Sequence, residues 1–137
     1  MKIESNVSDE IINNALIGAR EGATCYWAQS RLFDPNKRKD IKLHLNPLEG
    51  RYFVGEGKYD GEELWLNSEC GNKALSFFEE ENPEIELFVT HCRISRGLLL
   101  MSEKYPKHFA DLIGENDDAT THDVFLQCCL LNNVIYG

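Results

Sequence analysis

The sequence comprises 137 residues, of which 42% are hydrophobic and 27% are charged, which is the size and balance of a single globular domain covering residues 1–137. The formal net charge is −9, and this disfavours direct nucleic-acid binding, because phosphates are bound by an excess of basic groups. The longest apolar run, residues 97–101, is far shorter than the roughly 20 residues that span a bilayer, and the polar amino terminus lacks the apolar core of a signal peptide. These features exclude a membrane helix and predict a cytoplasmic protein.

The first predicted element is a helix over residues 8–21. Its apolar side chains recur at helical spacing. Ser8 or Ser5 can cap its amino terminus, and Gly22 is placed to end it.

Short strands are predicted to follow this helix. Residues 24–28 are rich in β-forming types, residues 41–45 alternate between apolar and polar side chains, and residues 51–54 form a third short run. Residues 55–58 predict a hairpin connection into a strand over 59–66, within which Asp60-Gly61 is expected to break or bulge the strand. Because these connections are too short for parallel crossovers, we expect the strands to be antiparallel.

Beyond residue 66 the hydrophobic period becomes helical. Residues 74–78 predict a short helix, which Pro83 is expected to stop, because a proline pushes the residue before it out of the α region. Residues 84–105 fit a long, widely buried helix. Over residues 85–89 the same pattern also fits a strand, since periodicity cannot separate the two over so short a run.

Two more helices complete the predicted fold. Pro106 begins a short helix that runs through Ile113, and residues 114–118 form a polar turn. Thr120 and Asp123 have the spacing of a capping box ahead of a final buried helix. The predicted class is α+β, with an N-terminal helix, a small antiparallel sheet of three to four strands, and C-terminal helices packed on one face.

The cysteines indicate neither a disulfide framework nor a metal site. Their number is odd, and cytosolic thiols stay reduced. Zinc sites pair their ligands at short spacings, and no such pair occurs among the cysteines and histidines. We therefore expect no metal, no cofactor and buried structural thiols. The five cysteines are Cys25, Cys70, Cys92, Cys128 and Cys129.

Acidic residues are concentrated in one window, residues 56–86. This window holds ten acids and two bases, a charge that repels nucleic acid and attracts basic surfaces. Two interpretations stay open: a solvated face that keeps the protein soluble, and a surface that binds a charged partner. The residues predicted to form that partner surface are Glu56, Asp60, Glu62, Glu63, Glu79, Glu80, Glu81 and Glu84.

Two further short segments suggest surface features. Tyr26 and Trp27 have the aromatic content of a stacking platform or an interface anchor, and alternation predicts that one ring lies in the core and the other outside. Residues 37–39, Lys-Arg-Lys, follow a turn signature and predict an exposed loop tip.

Catalysis is not indicated by the sequence. His108 and Asp111 are three apart on a predicted helix, and His122 has acidic neighbours, so either histidine could begin a general base. No recognisable nucleophile motif accompanies them. The simpler interpretation is that His108 satisfies a backbone carbonyl or an acid at a helix junction, and we expect a protein without enzymatic activity.

The carboxy-terminal segment carries a long motif. Residues 97–127 read GLxxMxxKYPxHFADxxxENDDAxTxDVFLQ, and the chain continues to Tyr136-Gly137. This motif resembles the end of a family of small proteins of unassigned function encoded by phages and prophages, and Glu21-Gly22 followed by Tyr26-Trp27 is similar to their start. Residues 31–90 have no counterpart in it. The resemblance implies a phage accessory gene, and such proteins often act by binding a host or defence component.

Two functions fit these observations. The first is an acidic, non-enzymatic inhibitor that occupies a basic surface of a host nucleic-acid-handling or defence protein, of the anti-CRISPR or anti-restriction type. The alternative is a protein that counters defence by binding a small nucleotide signal, for which Arg51, Arg93 and Arg96 could supply the phosphate-binding charge. Neither function calls for direct contact with nucleic acid or membrane, and a homodimer is compatible with both.

Overall fold

The computed structural model describes residues 7–38, 43–46 and 50–137. Its helices are α1 (Asp9–Gly18), α2 (His91–Lys104), α3 (Pro106–Ile113) and α4 (Ala119–Leu131). Its strands are β1 (Ala28–Phe33), β2 (Leu43–Asn46), β3 (Arg51–Val54), β4 (Leu66–Asn67), β5 (Lys73–Glu79) and β6 (Asn82–Phe88). An N-terminal helix, an antiparallel sheet and C-terminal helices are all present, so the predicted α+β class is confirmed.

The main sheet is built around β5. Strand β1 pairs antiparallel with one side of it, from Ala28 opposite Glu79 to Phe33 opposite Ala74. Strands β4 and β6 pair antiparallel with the other side, one at each end of β5. Strands β2 and β3 form a separate antiparallel pair.

The predicted N-cap of the first helix at Ser8 is confirmed. Ser8 accepts a hydrogen bond from the backbone N–H of Ile11, as an N-cap serine does. Helix α1 ends at Gly18, and a π-helical turn, Ala19–Ala23, extends the coil through the predicted stop at Gly22. The β-rich residues that follow do not begin a strand directly, because residues 24–27 form a turn and β1 starts at Ala28.

The strand predicted over residues 59–66 is broken at Asp60-Gly61, one of the two outcomes expected for that pair, and regular pairing resumes only after this turn. Gly57 and Gly61 both adopt φ of +82°, a conformation that favours glycine, and a short 3₁₀ turn, Gly57–Tyr59, fills the space between them. The chain then returns beside β3, where the N–H of Leu64 donates to the carbonyl of Tyr52 at 2.9 Å. Of the strand predicted over 41–45, residues 41 and 42 lie outside the described residues, and the rest belongs to β2.

The helix predicted over residues 74–78 is also wrong, because this segment lies in β5. Residues 74–77 are all buried, the polar Ser76 among them, so burial in this strand does not alternate, and a short segment without alternation cannot be distinguished from a buried helix by period alone. Pro83 lies near the start of β6 instead of ending a helix. The strand alternative for residues 85–89 is the correct one for most of that segment, since β6 extends to Phe88.

The C-terminal helices follow their predictions more closely. Helix α2 begins at His91, later than predicted, because the Thr90 side chain caps it by accepting from the N–H of Arg93 at 3.2 Å. Helix α3 has the predicted bounds. Helix α4 is capped by Asp118, which accepts from the N–H of Thr121 at 2.9 Å, so the capping box predicted from Thr120 lies two residues too late.

Helices α2 and α4 pack closely around a glycine. A Cβ atom added at Gly97 would lie 2.6 Å from the Cα of Cys129, so only glycine allows this approach without displacing backbone. Cys128 and Cys129 are buried as predicted, and burial raises the pKa of Cys128 to about 11. The prediction of buried thiols is wrong for Cys25 and Cys92, which are exposed.

Among the described helices, none combines the length and apolar character needed to cross a bilayer.

Candidate functional site

Two of the eight predicted surface acids are held in ion pairs within the protein. Glu62 pairs with Arg93, with Nη2 to Oε2 at 3.0 Å, and also accepts from the Thr90 hydroxyl at 2.7 Å. Glu63 pairs with Arg51, with Nε to Oε2 at 3.1 Å. These two carboxylates are therefore neutralised locally and connect β3, α2 and the segment between them.

A third internal pair corrects the prediction of an exposed loop tip at residues 37–39. Lys37 is exposed, but the Arg38 side chain is buried and forms a two-bond pair with Glu86, one bond of which is 2.7 Å. The guanidinium lies over the rings of Phe33 and Phe88, at 4.5 and 5.5 Å from their centroids. Residue 39 lies outside the described part of the chain.

The other predicted acids remain at the surface. Glu56 and Asp60 are exposed beside the turn that follows β3. The remaining four, which we call the acidic hairpin, surround the β5–β6 turn and comprise Glu79, Glu80, Glu81 and Glu84. All but Glu79 are exposed, and Ile85, which follows them, is 48% exposed.

The aromatic pair lies as predicted, with one ring inside and one outside. Trp27 is buried and Tyr26 is 52% exposed. Both donate to the same carboxylate: the Trp27 indole N–H to Asp123 Oδ1 at 2.8 Å, and the Tyr26 hydroxyl to Asp123 Oδ2. A third donor is Gln127, whose amide nitrogen lies 3.0 Å from Oδ1.

The buried side chain of Gln127 also holds the C-terminal segment. Its Oε1 accepts from the backbone N–H groups of Ile135 and Tyr136 at 2.8 and 2.9 Å, and its Nε2 donates to the carbonyl of Tyr136 at 3.1 Å. The Tyr136 ring stacks on Trp27 with 5.0 Å between centroids and 11° between planes. The segment is therefore fixed on both its backbone and its ring.

A cavity of about 440 Å³ opens where these groups meet. We call it the Asp123 pocket. Its walls are largely apolar, with polar atoms supplied by one carboxylate, one threonine and two tyrosines. They include Ala23, Tyr26, Ala119, Asp123, Val134 and Tyr136.

The electrostatic character of this corner is negative. Two causes raise the pKa of Tyr26 to about 12: the larger is loss of water around its hydroxyl group, and the second is the hydrogen bond to Asp123. Hydrogen bonds to Glu79 and then to Glu81 raise the pKa of Tyr136 well above its usual range. In the described part of the chain, no lysine, arginine or histidine forms a salt bridge with Asp123.

The acidic hairpin and the aromatic pair lie side by side. The Tyr136 hydroxyl donates to the carboxylates of both Glu79 and Glu81, at 2.9 Å for the second. The backbone N–H of Glu80 donates to the carbonyl of Trp27 at 2.9 Å. Two features predicted separately, more than fifty positions apart, therefore form one continuous surface.

Of the two histidine–acid pairs considered from sequence, one is present. His122 pairs with Asp117. His108 Nδ1 instead lies 3.1 Å from the hydroxyl of Thr121, not against Asp111, and this hydroxyl also bonds to the capping carboxylate of Asp118. Each histidine therefore contacts a polar side chain in the turn before α4 or in the first turn of α4.

Three residues of this site were not singled out by sequence reasoning: Asp123, Gln127 and Tyr136. From sequence, Asp123 is predicted only as part of a helix cap. All three residues lie in the segment from residue 97 to residue 137 that carries the long motif, and Tyr26-Trp27 is the other short segment singled out from sequence. These two segments contribute most of the side chains of the Asp123 pocket.

Among the described residues, no group of three or more histidine, cysteine, aspartate or glutamate side chains could hold a metal ion. Comparison of the chain with protein-family models, with curated proteins and with solved structures gives no match.

Proposed function

We propose that this protein acts by non-enzymatic binding. It would place the acidic hairpin and the adjoining aromatic pair, Tyr26 and Trp27, against a basic surface of a host nucleic-acid-handling or defence protein. The proposal places it in the host cytoplasm, as an inhibitor of the anti-CRISPR or anti-restriction type. The observation that supports it is the contact of Tyr136 with Trp27 on one side and with Glu79 and Glu81 on the other.

The charge of this surface supports a basic partner. Glu80, Glu81 and Glu84 are exposed around a single turn, and like charges held close together produce a field that reaches about 8 Å at physiological salt. Such a field accelerates encounter with an oppositely charged protein more than it prolongs the complex. An exposed aromatic ring beside it supplies contact area of the kind that anchors interfaces.

The surroundings of His122 favour a structural role for its pair with Asp117. A general base needs a free nitrogen within reach of a substrate proton or a nucleophile. His122 bonds to Asp117 through Nε2, and its Nδ1 packs against Gly18, where an added Cβ atom would lie 2.0 Å away. His108 bonds through Nδ1 to Thr121 in the first turn of α4, so the contacts of both histidines fit a role in fixing the start of this helix.

The pairing of the arginines favours the protein partner over the nucleotide alternative. A phosphate-binding pocket needs arginines that are available to the ligand. Arg51 and Arg93, two of the three arginines considered for it, are bound to Glu63 and Glu62. The Asp123 pocket itself presents a carboxylate, which repels phosphate.

Surface plasmon resonance against an immobilised Cas nuclease and an immobilised restriction endonuclease tests the proposal. The test variant carries E80Q, E81Q and E84Q, and the matched control carries E10Q, E103Q and E115Q, three exposed glutamates outside the hairpin. We expect association of the hairpin variant to be about tenfold slower at low salt, with a flattened salt dependence. The control should bind like the unmodified protein.

Two results would contradict the proposal. Equal slowing in both triple variants would mean that net charge, not this surface, governs encounter. Absence of binding to every basic protein tested, together with retention of a nucleotide by the purified protein, would favour the small-ligand alternative.

A further inference from the structure

We propose that the Asp123 pocket receives one cationic side chain of the partner, an arginine or a lysine, with Asp123 binding its charged head. This inference rests on the proposed function and assigns the contact at its centre. The acidic hairpin would then act at long range, while the pocket would provide the short-range contact that fixes the complex.

The hydrogen bonds of Asp123 leave room for one more donor. A carboxylate offers about four acceptor positions. Trp27 and Gln127 occupy Oδ1, at 2.8 and 3.0 Å, and Tyr26 occupies one position on Oδ2. One position on Oδ2 is therefore available to a ligand.

The charge of Asp123 is also unmatched. Its three donors are an indole, a phenol and a primary amide, all of them neutral, whereas Glu62 and Glu63 each bind an arginine. A carboxylate within hydrogen-bond distance of a cation gains more than one bound to neutral donors alone. The missing component is a positive charge, and the pocket opens to solvent where such a charge could enter.

The walls of the pocket fit the rest of a basic side chain. Lysine and arginine carry an apolar stem below the charged head, and Ala23, Ala119, Val124 and Val134 line the cavity with apolar surface. The half-exposed ring of Tyr26 adds an aromatic face, which attracts cations when they lie within about 6 Å of its centre. A cavity of about 440 Å³ is ample for one such side chain.

An anion is a poorer fit, although α4 begins at this pocket. A helix amino terminus carries roughly half a positive charge, and here the Asp118 carboxylate already caps it. Asp123 adds a full negative charge within the pocket, and the carboxylates of Glu79 and Glu81 lie behind Tyr136. The net field therefore favours a cation.

The two tryptophans allow a direct test by NMR. The Trp27 indole N–H bonds to Asp123, whereas the Trp65 indole N–H bonds to Asn13 at 2.7 Å and does not line the pocket. The probes are N-acetylarginine methylamide and N-acetyllysine methylamide, with N-acetylcitrulline methylamide as the neutral analogue. We expect the cationic probes to shift the Trp27 indole signal with a Kd of about 1 mM, as their size allows, and to leave the Trp65 signal in place.

Two variants connect the shift to the pocket. Ala119→Leu fills the cavity without altering any bond to Asp123, and Asp123→Asn removes the charge. Each should abolish the Trp27 shift, while Ala110→Leu, at an exposed position of α3 outside the pocket, should retain it. An unchanged Trp65 signal in each variant confirms that the fold is intact.

Several outcomes would overturn the inference. An equal response to the citrulline analogue would mean that charge is not recognised, and an undiminished shift in Ala119→Leu would mean that the probe binds elsewhere. The triple hairpin variant should still bind the probes, which separates the two proposals. If Ala119→Leu binds the basic protein partners at full affinity while the hairpin variant does not, the proposed function stands and the pocket inference fails.

Discussion

The carboxylates of this protein occupy two contrasting environments. Around Tyr59, the carboxylates of Glu62 and Glu86 each bind a buried arginine, and the Tyr59 and Phe88 rings meet edge to face at 5.6 Å between those two pairs. At the opposite extreme, Asp123 is bound only by neutral donors. In the first region the carboxylates pair with arginines and connect separate elements of the fold. In the second region the carboxylate has no cationic partner among the described residues.

This contrast changes how the acidic window is understood. Net charge along the sequence treats all its glutamates alike. The structure divides them into paired residues, such as Glu62 and Glu63, and exposed ones, such as Glu80 and Glu84. Neutralising a member of the first group should therefore cost folding stability, and neutralising a member of the second should not.

The largest expected effect is that of Glu62→Gln. The change leaves the Arg93 guanidinium, whose side chain is 8% exposed, without its carboxylate, and breaking a buried pair in this way costs about 3 kcal/mol. Glu84→Gln makes the same chemical change at an exposed position and is the matched control. Urea unfolding at pH 7 measures both, and equal midpoints would contradict the distinction between paired and exposed acids.

A smaller loss is expected for Asp123→Asn. An asparagine cannot accept at both of its terminal atoms, so at least one of the three donors loses its partner, at a cost of about 1.5 kcal/mol. No buried cation is left unpaired, which is why the loss should be smaller than for Glu62→Gln. Asp60→Asn serves as the control, and thermal unfolding followed by tryptophan fluorescence gives the comparison. A loss as large as that of Glu62→Gln would mean that Asp123 is mainly structural.

Alkaline pH should distinguish the two regions again. Burial raises the pKa of Tyr59 to about 12, and the pKa of Tyr26 is also about 12, against about 10 in an unfolded chain. Between pH 10 and 12 the folded protein therefore holds more protons than the unfolded one, so the free energy of unfolding falls as pH rises. Below pH 10 this contribution is present in full. Burial of Cys128 acts in the same direction.

Phenylalanine variants show which tyrosine causes this fall in the free energy of unfolding at high pH. Tyr59→Phe should flatten the dependence on pH more than Tyr26→Phe, because Tyr59 is buried whereas Tyr26 is half-exposed to solvent. The Tyr59 hydroxyl has no hydrogen-bond partner among the described residues, so its removal should cost little stability at pH 7. Urea unfolding at pH 9, 10, 11 and 12 measures the slopes, and a steeper slope in Tyr59→Phe would contradict the assignment.

The smallest effect is expected for the acidic hairpin itself. Glu80→Gln and Glu84→Gln, alone or together, should change the free energy of unfolding by less than about 0.5 kcal/mol per site, as for ordinary surface changes. High salt should reduce any difference further, because exposed charges are screened. A destabilisation above 1 kcal/mol would show that the turn contributes to the fold and would weaken its assignment to a partner.

Sequence patterns predicted the helices better than the strands, for a physical reason. Helix α3 and the Ser8 cap depend on residues close together in the chain, so proline placement and capping chemistry reveal them. Strand β5 is paired on both sides and buried on both faces. Its sequence therefore shows no alternation of apolar and polar residues, and its pattern wrongly predicts a helix.

The candidate site shows the same limit. An excess of acid between residues 56 and 86 and an aromatic pair at 26 and 27 can be read from the sequence alone. Their adjacency depends on β1 and β5 being paired and on Tyr136 reaching back to Trp27. No local pattern carries that information.

The sequence by itself determined the α+β class, the acidic charge and the helices beyond residue 90, since composition and local periodicity act over a few neighbouring residues. Only the tertiary structure decided which acids meet an arginine and which do not. Glu62 and Asp123 are equally acidic as residues, but one lies against Arg93 and the other faces a cavity lined by neutral groups. That difference arises from contacts between residues far apart in the chain, and it separates the charge that holds the fold from the charge that we propose binds a partner.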